Sequence, residues 1–281
     1  MPLTCRNRVL DLGSPVVMGV LNVTPDSFSD GGRYFDVGQA VEHGLRMAEQ
    51  GAAIVDVGGE STRPGSSAVS VAEEITRVVP VIEGIARQSD VLLSVDTQKP
   101  DVMLAAVAAG AHLINDVNGL RAPGAIEAAA RSGAAVCLMH MQGEPSTMQV
   151  DPRYDDVLSE VTGFLAARAA ACREAGIEAA RLCIDPGIGF GKRLEHNLAL
   201  LRGLPALAAL GYPVLVGVSR KSLVGMITGR PTGDRLVGSA VLAALAVERG
   251  AAIVRAHDVT ETVDALRMVA ALRGQQATGV G

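Results

Sequence analysis

The sequence lacks the features that mark secreted, membrane-spanning and nucleic-acid-binding proteins. Its four cysteines show neither CxxC nor Cys/His ligand spacing, which argues against a zinc site and a disulfide framework. The net charge of −5 provides no positive field that would gather DNA or RNA. No segment reaches the ~18 uninterrupted apolar residues of a membrane span, and residues 1–12 lack the apolar core of a signal peptide. These absences predict a cytoplasmic protein with no nucleic-acid partner and no membrane partner.

Eight short runs of Val, Ile, Leu or Ala recur along the chain, and segments with helical signals lie between them. The runs are 16–21, 53–57, 91–95, 112–114, 135–139, 182–184, 214–218 and 252–254. The helical segments are 37–50, 72–87, 100–109, 122–131, 154–175, 195–209, 222–226 with 235–249, and 260–272. Six of the helical segments precede a glycine, the usual residue of a left-handed helix cap. Eight alternations of strand and helix predict an α/β fold, a (β/α)8 TIM barrel.

The size and composition fit one such barrel. An apolar fraction of 48% in 281 residues can form one large core, and barrels of this kind commonly have about 250 residues. We therefore predict a single domain over residues 1–273. The polar, glycine-containing residues 274–281 are predicted to be a disordered tail.

Three connections after strands are longer than a turn requires, namely 22–36, 58–71 and 140–152. Loops at the carboxyl ends of barrel strands usually carry the ligand-binding residues. The first of them combines glycines with Asp26, Asp30 and Phe28, which is one of only four phenylalanines in the chain. The alternative is a solvated loop that merely caps the barrel.

Residues 185–192 are glycine-rich but do not form a phosphate-binding motif. Neither the P-loop spacing nor the dinucleotide fingerprint is present. We expect these glycines to let the backbone pass close to a flat ligand, with Phe190 offering an aromatic surface. A plain turn between strand and helix is the alternative.

Asp96, Asn115 and Asp185 each follow an apolar run, so a closed barrel would bring them to one rim. Carboxylates only accept hydrogen bonds and an amide both donates and accepts, so the three together suit a heterocycle with several N–H donors. Lys221 adds a cation for a ring carbonyl or an acidic group. A lone Asp at such a position more often caps the next helix, which is the alternative.

Arg255 and His257 are two residues apart at the end of the eighth run, so both can face one anion. Phosphate is the natural candidate, because barrel loops after strands seven and eight often bind it. Asp258 offers an alternative, a surface ion pair with Arg255. Ser219 to Ser222 could be a solvated basic turn, or Ser222 could begin a helix that receives a carboxylate or phosphate.

Eight segments, taken in order, resemble the motifs of the dihydropteroate synthase family. They are residues 19–32, 56–65, 94–97, 114–117, 139–143, 185–192, 219–222 and 255–259. The resemblance extends from about residue 16 to about residue 272. Where the family often has Val, this chain has Ala256, whose side chain is expected to face away from the site.

The resemblance implies a reaction in which p-aminobenzoate attacks 6-hydroxymethyl-7,8-dihydropterin diphosphate and expels diphosphate with the help of Mg²⁺. It also implies a homodimer and the roles of the site residues. Asp30, Arg63 and Lys221 would be catalytic. The pterin would contact Thr62, Asp96, Asn115, Asp185 and Lys221, and the diphosphate would contact Arg255, His257 and the metal on Asn22. The p-aminobenzoate pocket would comprise Phe28, Arg63, Pro64, Phe190, Ser219 and Ser222.

Two other functions share parts of this pattern. A pterin-binding methyltransferase domain has the same barrel and pterin-facing acids, but it has no need of the diphosphate contacts at Arg255 and His257. A non-catalytic pterin-binding scaffold would be expected to have lost Asn22, Asp30, Arg63 or Lys221, and this chain retains all four.

Overall fold

The computed structural model describes residues 2–24, 36–61 and 68–274. Its strands are β1 Leu3–Cys5, β2 Arg8–Leu10, β3 Val16–Asn22, β4 Ile54–Gly58, β5 Leu92–Asp96, β6 Leu113–Asp116, β7 Ala135–Met139, β8 Leu182–Asp185, β9 Val214–Gly217 and β10 Ala251–Ala256. Its helices are α1 Val37–Glu49, α2 Val71–Ala86, α3 Pro100–Ala109, α4 Ala125–Ser132, α5 Val157–Glu174, α6 Leu194–Arg202, α7 Leu204–Ala208, α8 Ser222–Thr228, α9 Leu236–Glu248 and α10 Val259–Leu272.

Strands β3 to β10 form a closed barrel in which every neighbouring pair is parallel. The predicted TIM barrel is confirmed. All eight carboxyl ends therefore lie at one rim, where βα loops carry the active sites of such barrels. The predicted single domain over 1–273 stays a prediction, and of the predicted tail only Gly274 is within the described residues.

The glycines that follow the helices adopt the backbone geometry expected of helix caps. Gly51, Gly110, Gly133, Gly176, Gly211 and Gly250 all have positive φ, between 72° and 124°. A side chain disfavours that region, which explains why glycine stands at these six helix ends.

The interior of the barrel has an apolar floor beneath a polar upper part. Alternate strand residues face inward, and the lower ones form a buried cluster that includes Met18, Ile54, Leu92, Leu113 and Ile253. Two residues further along β4, β5, β6 and β10 come Asp56, Ser94, Asn115 and Arg255. The period of two therefore places the polar side chains directly above the apolar floor.

The antiparallel hairpin β1–β2, which was not predicted, closes the amino-terminal end of the barrel. Its Leu3, Cys5 and Leu10 belong to the buried cluster of the floor. Arg6 in its turn donates from Nη1 to the carbonyl of Val107 at 2.9 Å. Strands of three residues are too short to show an alternating pattern.

The helix predicted over 195–209 is two helices, α6 and α7, which meet at Gly203. Pro205 has no N–H to continue the helical hydrogen bonds, so the break follows from the sequence. A Cβ on Gly203 would lie 2.5 Å from Leu158 Cδ1, so α5 packs closely at the same point. Within the described part of the chain, no helix is long and apolar enough to cross a membrane.

Candidate active site

Six side chains form a polar layer inside the barrel, just below the carboxyl-terminal rim: Asp56, Ser94, Asp96, Asn115, Asp185 and Arg255. Asp56 and Ser94 are fully buried, Asn115 and Asp185 are 4% and 5% exposed, and the Asp96 and Arg255 side chains are 10% and 22% exposed. They come from β4, β5, β6, β8 and β10. Burial at this level requires that nearly every polar atom finds a partner.

Arg255 lies between two carboxylates at the centre of the layer. Its Nε donates to Asp56 Oδ2 at 2.7 Å, and its Nη2 donates to Asp96 Oδ2 at 2.8 Å. One guanidinium thus serves two acids. Burial raises the pKa of Asp96 to about 7 against the opposing effect of Arg255, and the Asp56 charge adds to the increase. Although burial opposes it, Asp56 and Asp96 together raise the pKa of Arg255.

The Asn115 amide is oriented by the same Asp56 carboxylate. Its Nδ2 donates to Asp56 Oδ2 at 2.9 Å. Asn115 Oδ1, Asp56 Oδ1 and Ser94 Oγ are buried and have no hydrogen-bond partner among the described residues. Buried polar atoms left unpaired cost about 1–3 kcal/mol each. The layer is therefore suited to a polar ligand or ordered water.

Asp185 and Lys221 occupy the side of the layer below the glycine-rich loop. Asp185 Oδ1 accepts from the Gly187 amide at 2.7 Å. Burial raises the pKa of Asp185, and the charge of Lys221 opposes the increase. Burial lowers the pKa of Lys221 to about 8, against the charge of Asp185. The opposite charges of buried Asp185 and partly buried Lys221 therefore favour each other.

Phe190 lies against the Lys221 ammonium, with Nζ 4.6 Å from the ring centroid. Lys221 Nζ also donates to the Ile188 carbonyl. A Cβ on Gly189, which has a φ of +85°, would lie 3.1 Å from Lys221 Cδ. The glycine-rich loop therefore passes close to the Lys221 side chain, and its predicted approach to a flat ligand stays a prediction.

Lys192 anchors that loop to the end of β7. It is 3% exposed, and its Nζ lies 2.9 Å from the Phe190 carbonyl, 3.2 Å from the His140 carbonyl and 3.0 Å from His140 Nδ1. Burial lowers the pKa of Lys192 to about 7 and, together with the Lys192 charge, lowers that of His140 to about 3. The Lys192 ammonium can only donate, so His140 Nδ1 accepts from it when Lys192 is charged.

Ser219 and His257, predicted for different substrates, are in contact. Ser219 Oγ accepts from the His257 amide at 3.2 Å and lies 3.1 Å from His257 Nδ1. Ser222 is exposed at the first turn of α8. Asn22 ends β3 at the rim, paired in register with Gly58. All four lie at the carboxyl-terminal end of the barrel.

The alternative that paired Arg255 with Asp258 is wrong. Asp258 instead forms a bidentate ion pair with Arg220, whose Nε lies 3.0 Å from Asp258 Oδ2. Arg255 faces the barrel interior because β10 alternates, and Asp258 lies beyond the end of that strand. The predicted site residues Phe28, Asp30, Thr62, Arg63 and Pro64 lie outside the described residues.

A cavity of about 490 Å³ opens among the loops that follow β4, β5, β6 and β7. Glu60, Gln98, Arg121, Met141 and Glu144 are among the side chains that line it, but no member of the polar layer does. Among the described residues, no group of three or more His, Cys, Asp or Glu side chains could hold a metal ion.

Asp56, Ser94, Lys192 and His140 were not predicted as site residues. The signal for Asp56 and Ser94 was present, since each is a polar residue within an otherwise apolar strand segment. For Lys192 and His140 the sequence carries no comparable signal, because their contact joins residues that are 52 positions apart.

Comparison with known proteins identifies the family. A family model described as "Pterin binding enzyme" matches residues 18–257. The dihydropteroate synthase of Escherichia coli (strain K12) is 52% identical over 271 residues, 96% of this chain and 96% of that protein.

Two solved structures from Xanthomonas albilineans are similar over nearly the whole chain. Its dihydropteroate synthase with 4-aminobenzoic acid has a TM-score of 0.92 and 53% identity, covering 98% of this chain and 99% of that one. Its complex with 7,8-dihydropteroate has a TM-score of 0.89 and 50% identity, covering 98% and 100%. The chain therefore belongs to the dihydropteroate synthase family of pterin-binding enzymes.

Proposed function

We propose that the polar layer and the rim above it condense p-aminobenzoate with 6-hydroxymethyl-7,8-dihydropterin diphosphate, giving 7,8-dihydropteroate and diphosphate. The observation that carries the proposal is Asn115 Oδ1, which is buried without a partner among the described residues and shares its layer with the Asp96 and Asp185 carboxylates. A dihydropterin has the amino and ring N–H donors that such acceptors need. Lys221 lies beside Asp185, where it would face the ring carbonyl, and Thr62 would add a contact from the second long loop.

The diphosphate would lie toward Arg255 and His257. The hydrogen bonds of Arg255 to described residues use Nε and Nη2, so Nη1 would be the guanidinium donor offered to the diphosphate. His257 follows β10 at the rim, two residues beyond Arg255. Both groups would stabilise negative charge as it develops on the leaving oxygen.

The p-aminobenzoate would lie beside Phe190, with its carboxylate toward Ser222 and Ser219. Phe190 is held in place from both sides, by Lys192 at its carbonyl and by Lys221 at its ring. Phe28, Arg63 and Pro64 would complete the pocket from the two long loops. Ser219 would also hold His257, since the two are in contact.

The chemistry requires stabilisation of charge more than a strong base. An aromatic amine is already neutral and nucleophilic, so the difficult step is the loss of diphosphate from carbon. The pterin can share the positive charge that develops at its methylene, and Asp30 in the first loop would stabilise that centre. Arg63 would help to close the site over both substrates. Asp30→Asn should lower kcat by about 10²- to 10³-fold, and an unchanged kcat would remove Asp30 from the mechanism.

The described residues fit a Mg²⁺ ion bound mainly by substrate. Mg²⁺ is usually held by one or two protein oxygens together with water and phosphate oxygens. A Cβ built on Gly58 would lie 3.8 Å from both Asn22 Oδ1 and Asp96 Cγ, so two oxygen-bearing side chains flank this position at the rim. Asn22 would hold the ion, which when bound would neutralise the leaving diphosphate.

One assay distinguishes this function from its alternatives. The purified chain is incubated with the dihydropterin diphosphate, p-aminobenzoate and Mg²⁺, and diphosphate release is measured with and without the amine. We expect release that depends on both substrates and is lost on chelation of the metal. Pterin binding without release would instead indicate a scaffold, and methyl transfer to a corrinoid would indicate the methyltransferase.

A homodimer is proposed from an apolar face on α9 and α10. Val237, Val241 and Leu245 are one helical turn apart on α9 and are exposed, and Met268 and Leu272 are exposed on the neighbouring α10. Such a patch marks an interaction surface. Val241→Glu should shift the chain to monomer in sedimentation velocity, whereas Val9→Glu should not, because the exposed Val9 lies on the hairpin β1–β2 and outside this face. A wild-type monomer would contradict the proposal.

A cytoplasmic location is proposed on the state of the cysteines. Cys5, Cys137, Cys172 and Cys183 are all free and buried. Free thiols are typical of a reducing compartment. Fractionation of cells expressing the full chain would test the location.

A further inference from the structure

Asp56 is a charged residue at the centre of the barrel. It stands in the middle of β4, fully buried, with apolar neighbours on both sides in the strand. Its carboxylate lies one level below the rim and beside Ser94, its register partner on β5. An isolated buried carboxylate is costly unless it is paired and hydrogen-bonded. The hydrogen-bond partners of Asp56 therefore indicate the role of this carboxylate.

Among the described residues, Asp56 has two hydrogen-bond partners, and both belong to the proposed substrate site. Asp56 Oδ2 accepts from Arg255 Nε at 2.7 Å and from Asn115 Nδ2 at 2.9 Å. Asp56 itself is 0% exposed, whereas Asn115 is 4% exposed and the Arg255 side chain is 22% exposed. It is thus placed to act on a substrate through Asn115 and Arg255, without touching the substrate.

The contact with Asn115 determines which amide atom faces a ligand. Asp56 Oδ2 accepts from both Arg255 Nε and Asn115 Nδ2, so the amide turns its NH₂ group toward Asp56. The other amide atom, Oδ1, then points away, and it is buried without a partner among the described residues. With Asp56 in place, Asn115 presents an acceptor. Without it, the amide could rotate by half a turn and present a donor.

We propose that Asp56 is a positioning residue that sets the hydrogen-bond polarity of the pterin site. By fixing the Asn115 amide, it makes the site favour a ring edge with an amino donor over an edge with a carbonyl acceptor. By holding Arg255, it keeps the guanidinium centred between two carboxylates. This inference rests on the proposed function, because it assumes that Asn115 faces the pterin.

The test compares two ligands that differ at one edge. 6-Hydroxymethylpterin carries a 2-amino group, and 6-hydroxymethyllumazine carries a carbonyl in its place. Neither has the diphosphate, so Arg255 and the metal contribute little to the comparison. Dissociation constants are measured by calorimetry for the wild-type chain and for Asp56→Leu, which removes the carboxylate at similar volume.

We expect the wild-type chain to prefer the pterin, and Asp56→Leu to lower this preference at least tenfold. The double variant Asn115→Ala with Asp56→Leu should have a preference within threefold of that of Asn115→Ala alone. The amide through which Asp56 acts is absent from both proteins. Asp116→Asn is the matched control. Asp116 is equally buried, but among the described residues it accepts from the backbone amides of Asn118 and Leu120 at 2.7 Å and from no site residue, so the preference should stay at the wild-type value.

A second variant covers the case in which Asp56→Leu does not fold. Asp56→Asn keeps the shape of the side chain, but both its new amide and the Asn115 amide can then rotate. The preference for the pterin should therefore fall again, and the fall in its logarithm should be about a third to a half of that caused by Asp56→Leu. An equal loss of affinity for both ligands, with the preference unchanged, would overturn the proposal and leave Asp56 a purely structural role. Failure of the wild-type chain to bind pterin or to release diphosphate would instead overturn the proposed function.

Discussion

Arg255 Nη2 lies 2.8 Å from Asp96 Oδ2, although 159 residues separate the two in the chain. The same guanidinium also pairs with Asp56, so one positive charge faces two negative ones. The three side chains together therefore carry an excess of negative charge inside the barrel when both acids are ionised. This relationship leads to a prediction about pH.

Asp96 should make the ligand-free protein less stable as the pH rises from about 4 to about 7. Burial raises the pKa of Asp96 from 3.8 to about 7, with Arg255 opposing and Asp56, Glu74 and Asp116 adding to the shift. In that window the folded state binds more protons than the unfolded state, so the free energy of unfolding falls with pH, by at most about 1.4 kcal/mol per pH unit. The measurement is urea denaturation of the wild-type chain and of Asp96→Asn at pH 4.5 to 7.5.

The informative quantity is the difference in stability between the two proteins. We expect the stability of the wild type relative to Asp96→Asn to decrease with pH and to level off above pH 7, since other carboxyl groups titrate in both. A constant difference would show that Asp96 is ionised throughout the range. Its pairing with Arg255 would then outweigh its burial.

Lys192→Met should destabilise the fold and weaken binding of p-aminobenzoate. The change leaves the Phe190 and His140 carbonyls and His140 Nδ1 without their donor, at about 1–3 kcal/mol for each buried acceptor that finds no other partner. Because the Phe190 carbonyl is released, the KM for p-aminobenzoate should rise more than the KM for the pterin substrate. Denaturant unfolding and steady-state kinetics measure the two effects.

The adjacent residue supplies the control for Lys192. Arg193 pairs with Asp151 at the surface, where both side chains are nearly half exposed, and exposed pairs contribute about 0.2–1 kcal/mol. Arg193→Met should therefore have a small effect on stability and none on the ratio of the two KM values. Equal effects of the two substitutions would refute the anchoring role of Lys192.

Gly187→Ala should disrupt the glycine-rich loop and lower turnover. Gly187 has a φ of +67°, and a Cβ there would lie 1.9 Å from the His140 carbonyl oxygen. The loop must move, and Phe190 and the Asp185 contact move with it. Gly133→Ala is the matched control, because Gly133 has a φ of +72° and no described atom within 4 Å of the added Cβ.

The two alanine variants distinguish the steric clash of a new Cβ with the His140 carbonyl from the backbone strain of a positive φ. Gly133→Ala should cost only the strain of a left-handed residue, about 1–2 kcal/mol, with normal kcat. Gly187→Ala should cost distinctly more in thermal unfolding and reduce kcat. If both variants lost the same stability and retained full activity, the close approach at Gly187 would have no functional consequence.

Leu3→Ala should destabilise the barrel from its amino-terminal end without changing the chemistry. Leu3 is fully buried against the barrel floor, and truncating a buried leucine costs about 2–5 kcal/mol. Val9→Ala on the same hairpin, where the side chain is 66% exposed, should change stability by less than about 0.5 kcal/mol. If Leu3→Ala lowered kcat at temperatures where the variant is still folded, the hairpin would also influence the site.

The barrel was predictable because its signal repeats. Eight apolar runs and the glycines after the helices are local patterns, and each one indicates the same alternation of strand and helix. Asp96, Asn115, Asp185 and Lys221 were predictable as rim residues for the same reason, since each follows such a run. The hairpin β1–β2 was not predicted, because its strands have three residues each, which is too few to show an alternating pattern.

The partners of the charged residues were not predictable from position alone. Asp258 is the acid nearest Arg255 in sequence, but it pairs with Arg220, and Arg255 pairs with acids of β4 and β5. The direction in which a strand residue points selects its partner, and neighbours in sequence point to opposite faces.

By itself the sequence determined the eightfold alternation, the chemical type of residue at each strand end and the resemblance that named the family, because these are properties of short segments. Only the tertiary structure decided that Arg255 is shared between Asp56 and Asp96, that Asn115 turns its oxygen away from Asp56, and that Lys192 holds the loop of Phe190. Closing the barrel brings strands from distant parts of the chain within 3 Å of one another at these side chains, and no local pattern encodes which atoms then meet.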